Sequence, residues 1–203
     1  MAGIGFELRK LLTRENYSGL LQAYAYAGII SAGPWILSII GILLIGIFSI
    51  GVVEPRSLIV EFQMSVTYVM ASSLILTGIV QLSFTRFIAD RLFEKKDDWV
   101  LPNFNGLLLT TVVISGIVGL TVIIVLFPRE SVIYRLLLLS AFVIMCATWI
   151  ATVFLSGMKR YKAIVALFFV GYVVVITTAL LLRPFGLEGL MAGFVCGHFL
   201  LLA

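Results

Sequence analysis

The polar residues of this chain that could bind something fall at the spacing of a helix. Ser73, Thr77, Gln81 and Thr85 recur every four residues and form one stripe at 3.6 residues per turn. Thr67 and Met70 extend the stripe, Arg86 closes one end, and Leu, Ile and Val fill the opposite face. Hydroxyls and a carboxamide are neutral hydrogen-bonding groups, suited to holding a ligand rather than breaking a bond. In hydrocarbon such groups must face protein or water, because an unpaired polar group there is costly. The stripe therefore either lines a hydrophilic cavity or joins helices by hydrogen bonds. The long amide of Gln81 suits sugar hydroxyls. Gln22 and Tyr26, in the preceding apolar run, join the same candidate lining.

Other residues offer less. Gly33-Pro34-Trp35 interrupts the first apolar run, where proline removes a backbone donor and bends the helix. Gly33 and Pro34 then form either a hinge or a static bend. Trp35 and Trp149 fall mid-run, whereas Tyr24, Tyr26, Tyr68 and Tyr172 read first as anchors at the membrane–water interface. His198 has no carboxylate or cysteine spaced to make a metal or catalytic site with it, and reads as a packed helix residue. Cys146 and Cys196 lie in apolar runs without CxxC spacing and read as buried small residues. No Asp or Glu falls in the middle of a run, Glu61 and Glu188 sitting at ends, so ion-coupled antiport is disfavoured. With no phosphate loop, paired carboxylates or nucleophile–base set, the chain reads as no enzyme, with no cofactor and no metal.

The elements that position these residues follow from composition. Of 203 residues 62% are hydrophobic and 12% charged, with a mean hydropathy of +1.17. So few charges cannot cover a water-exposed surface, and lipid must be the solvent. Six apolar runs, at 20–50, 62–88, 104–127, 132–155, 163–182 and 187–203, have the length of spanning helices. The fold class is an all-α integral membrane protein, a six-helix lobe over 20–203 preceded by a segment, 1–19, lying on the membrane surface. In that segment Ile4, Leu8, Leu11 and Leu12 share one face, with Glu7, Arg9, Lys10 and Arg14 largely elsewhere. Ten of the 14 Lys and Arg residues fall on the side of the N terminus, including Arg86, Arg91, Lys159 and Arg160, against Arg56, Arg129, Arg135 and Arg183 on the other. That bias places the N terminus in the cytoplasm and explains the net charge of +4 without nucleic acid. Arg86, Arg91, Lys159 and Arg160 sit at the cytoplasmic mouth, where they set topology or dock a partner. The sixth run ends in Phe199-Leu200-Leu201-Leu202-Ala203 with no polar flank, so further spans are expected beyond it.

The N-terminal stretch carries a resemblance. Met1-Ala2-Gly3-Ile4-Gly5-Phe6-Glu7-Leu8-Arg9-Lys10-Leu11-Leu12, then Gly19-Leu20-Leu21-Gln22-Ala23-Tyr24-Ala25-Tyr26-Ala27-Gly28-Ile29-Ile30, then Gly33-Pro34-Trp35, resembles the opening of the PelG-like transporters of the Pel exopolysaccharide system. The resemblance implies membership of the multidrug/oligosaccharidyl-lipid/polysaccharide flippase superfamily, with about twelve spans in two lobes, of which this chain would be the N-terminal one. It further implies export of an N-acetylhexosamine polymer across the bacterial inner membrane as part of a biofilm matrix synthesis complex. The implied partners are a PelF-like cytoplasmic glycosyltransferase and PelD-like and PelE-like membrane proteins. Two other readings stand beside the polysaccharide conduit. One is a non-conducting membrane scaffold that anchors the glycosyltransferase; the other is a lipid-linked oligosaccharide flippase.

Overall fold

A computed structural model describes residues 34–158 and 160–203. Its α-helices are α1 (Pro34–Ser49), α2 (Ser57–Phe93), α3 (Val100–Leu126), α4 (Val132–Gly157), α5 (Tyr161–Leu182) and α6 (Gly186–Leu202). Short 3-10 turns, Asp97–Trp99 and Arg183–Phe185, lead into α3 and α6. No strand occurs among the described residues. Helices are the expected outcome for long apolar runs, because in lipid each backbone amide must find its partner within its own segment. Four stretches, Ser57–Phe93, Asp97–Leu126, Val132–Gly157 and Lys162–Leu202, are long and apolar enough to cross a membrane. The chain is thus an all-α, multi-pass membrane protein. α2 runs 37 residues, about 55 Å at 1.5 Å per residue, well beyond the roughly 30 Å of a bilayer's hydrocarbon. Of the first apolar run only the part from Pro34 onward lies in the described residues, and the surface segment at 1–19 lies outside them.

Lys162–Leu202 is a hairpin, not one rod. Gly186, at φ 68°, turns the chain where an L side chain would be strained, and the Thr178 hydroxyl of α5 donates to the Gly193 carbonyl of α6 at 2.7 Å. The two helices meet closely because Gly193 and Gly197 leave room. A Cβ at Gly193 would sit 2.3 Å from the Ala179 Cα, and one at Gly197 2.5 Å from that of Val175. Small residues at four-residue spacing bring helix backbones together in membranes, where apolar side chains gain nothing by leaving lipid.

α4 is the hub. It packs on α2, α3 and α6, and buries Tyr134, Leu138, Phe142, Met145, Cys146 and Trp149 in the main core. Ser131 starts it by accepting the Tyr134 backbone N–H at 3.1 Å. A smaller apolar cluster of Phe84, Ile88, Val100, Phe104 and Phe154 ties α2, α3 and α4 together at the end marked by Arg91. At the opposite end, marked by Glu61, the Arg183 guanidinium donates to the Phe48 carbonyl and the Ser131 hydroxyl to Glu188. These bonds clasp the loops across the bundle.

Candidate functional site

α2 carries the sequence stripe, whose Ser73 meets α4. The Ser73 hydroxyl donates to the Met70 carbonyl at 2.8 Å and accepts the Trp149 indole N–H at 2.9 Å. The Thr77 hydroxyl donates to the Ser73 carbonyl at 2.8 Å and accepts the Gln81 amide at 2.7 Å. Thr85 donates to the Gln81 carbonyl at 2.8 Å. Ser73 is 0% exposed and Thr77 2%. Ser73 joins α2 to α4, and Thr77 closes a ladder along α2 itself. Gln81 and Thr85 are only half-buried, and the Gln81 side-chain carbonyl accepts from none of the described residues.

The structure distributes the other predicted residues unevenly. Pro34 is helical and buried, the first of the described residues of α1. Gly33, Gln22, Tyr26 and Lys159 lie outside the described residues. Arg86 is open, 87% exposed, with Asp90 4.0 Å away. Arg91 is committed to a brace instead. It reaches Glu94 at 2.7 Å and lies over the rings of Phe87 and Trp99 at 5.3 and 6.0 Å. Lys96, 3.1 Å from Glu94, and Arg91 hold that carboxyl below its usual value. Arg160 is exposed.

Tyr172 departs from its expected interface position. It is 3% exposed, packed over Gly41, and belongs to an aromatic column. In that column Trp35 stacks on Trp149 at 5.3 Å, Trp149 on Phe168 at 6.5 Å, Phe168 on Tyr172 at 6.3 Å, and Tyr172 meets the His198 ring edge-on at 5.5 Å. Sequence could not place Tyr172, because what buries it is a glycine on another helix. His198 is packed as expected, 1% exposed. Of the cysteines Cys146 is buried, but Cys196 is exposed on the outer face of α6, contrary to its expected burial.

A second polar stripe was not read from the sequence. Glu61, Ser65, Tyr68 and Ser72 line a 660 Å³ groove between α2, α3 and α4. The Ser65 and Tyr134 hydroxyls share a hydrogen bond at 2.5 Å, and Glu130 completes the polar end. The spacing of four, three and four residues was available as a signal. It was masked by Gln63 and Thr67, interleaved on the other flank, where Gln63 reaches the Ile42 carbonyl of α1 at 3.5 Å.

A bundle of long apolar helices carrying neutral hydrogen-bonding groups, with charges confined to its two ends, defines a polytopic membrane protein. Over residues 1–203 the chain matches the family described as "PelG: Putative exopolysaccharide Exporter (EPS-E)", and it belongs to that family. No curated protein and no solved structure matches it.

Proposed function

We propose that this chain is part of an exporter carrying an N-acetylhexosamine exopolysaccharide across the bacterial inner membrane, multi-pass with its N terminus in the cytoplasm. The observation that carries this reading is the family match along all of 1–203. The pathway runs along the α2 flank bearing Gln81 and Thr85, with Gln22 and Tyr26 of the first apolar run, and a hinge at Gly33 and Pro34. Half-buried side chains with spare hydrogen-bonding capacity make brief, replaceable contacts, which suit a neutral polymer in transit better than tight binding. Ser73 and Thr77 act as the rigid backing of that flank. A second lobe closes the path against this one. The glycosyltransferase docks at the cytoplasmic mouth near Arg86, Lys159 and Arg160, with Arg91 bracing the connection, and PelD-like and PelE-like proteins complete the assembly.

Gln81→Leu with Thr85→Val tests the conduit. Export should fall at least about tenfold, the factor of roughly 1.4 kcal/mol, with the glycosyltransferase still membrane-bound. Normal export would turn the reading toward a scaffold, and polymer retained on a polyprenyl carrier toward a flippase.

A further inference from the structure

The groove between α2, α3 and α4 has a different character from the transport flank. It lies on the side of α2 away from Gln63 and α1, with Val118, Val122 and Leu126 of α3 as its far wall. α2 and α3 meet at the Arg91 end through Phe84 and Phe104, 6.4 Å apart, and the groove occupies the space between them toward the Glu61 end. Its α2 wall runs from Glu61 to Leu76, about 22 Å at 1.5 Å per residue, against about 15 Å for the hydrocarbon of one leaflet. That is the reach of one chain of a membrane lipid together with its headgroup.

The groove holds about 660 Å³.

Polarity then sets direction and headgroup. The charged lining, Glu61 and Glu130, lies at one end beside Ser65 and Tyr134, Tyr68 and Ser72 continue along the α2 wall, and Ile75, Leu76 and Val118 lie deeper. The ion pairs among the described residues are Arg86–Asp90, Arg91–Glu94 and Lys96–Glu94, so neither Glu61 nor Glu130 is neutralised by a described cation. Two carboxylates at the mouth of an apolar groove complement an ammonium and repel a purely anionic headgroup.

We propose that this groove is a lipid seat that holds one acyl chain of an aminophospholipid, with the lipid ammonium between Glu61 and Glu130. The inference does not depend on which cargo the protein moves. An occupied seat would complete the packing between α2 and α3 toward the Glu61 end.

The test uses the full chain in nanodiscs containing equal parts phosphatidylethanolamine, phosphatidylcholine and phosphatidylglycerol, with retained lipid identified by native mass spectrometry. Phosphatidylethanolamine should be retained about fivefold over phosphatidylglycerol, the scale of two partly solvated ion pairs. E61Q/E130Q, which keeps side-chain size, should abolish that preference while lipid is still retained. Ser72→Phe, which fills the groove, should lower retention of all three, and a thermal-shift scan matching the parent verifies its fold. Equal or greater retention of phosphatidylglycerol, a preference unchanged in E61Q/E130Q, or a retained polypeptide or glycan in place of lipid would each overturn the proposal.

Discussion

At the scale of single residues, the contact between Ser73 and Trp149 decides how the sequence stripe is read. Four polar residues at four-residue spacing predict a shared face, and Ser73, Thr77, Gln81 and Thr85 do share one. They do not predict what the face meets, because Trp149 lies 76 residues away. The stripe was therefore legible as a pattern and illegible as an environment. The same limit applied to Glu61, Ser65, Tyr68 and Ser72, whose groove exists only once Tyr134 is brought beside Ser65. The Ser73–Trp149 bond has a measurable weight. In Ser73→Ala the indole N–H stays buried with no acceptor, which should cost about 1 kcal/mol, the scale of an interhelical hydrogen bond in lipid. Trp149→Phe removes the donor too, so the double variant should cost less than the two single changes combined. Reversible unfolding in mixed micelles reads all three, and strictly additive costs would mean that the bond contributes nothing.

Helices were more legible than their contacts. The described helices overlap the apolar runs read from the sequence, because a spanning segment in lipid has little choice but helix. Their pairing rests on details with no hydropathy signal, above all the glycines of α6. Gly193 and Gly106 make a controlled comparison. A Cβ on Gly193 would press into the α5 backbone at Ala179 and lie 2.6 Å from the Thr178 carbonyl, whereas one on Gly106 meets nothing within 4 Å. Gly193→Ala should therefore destabilise by about 1–3 kcal/mol through overpacking, and it strains the Thr178 hydrogen bond as well. Gly106→Ala should be neutral or stabilising by about 0.5–1 kcal/mol, since alanine loses less backbone freedom in a helix. Thermal unfolding of both in one detergent separates the cases. Equal effects would mean that the α5–α6 hairpin does not depend on close backbone approach.

At the scale of the whole molecule, the ends of the bundle differ in charge, and the proposed direction in the membrane rests on that difference. Arg86, Arg91, Lys95, Lys96 and Arg160 gather at one end, while Arg56, Arg129 and Arg183 occupy the other. Asp90, Glu94, Asp97 and Asp98 share the first end, but acidic residues contribute little to orientation, so they do not cancel the bias. Asp98 and Glu130 are both exposed and stand at opposite ends of α3, which makes them reporters for one helix. In a background without Cys196, Asp98→Cys should resist a membrane-impermeant maleimide applied to intact cells and react after permeabilisation. Glu130→Cys should react from outside in both conditions. Phe84 packs on Phe104, and Phe104 on Phe154 at 4.3 Å, so α2, α3 and α4 turn as one body. The two reporters must then exchange sides together or not at all. A joint reversal would put the mouth proposed to dock the glycosyltransferase on the wrong side of the membrane and remove the export reading. Labelling of both from one side would mean that α3 does not cross.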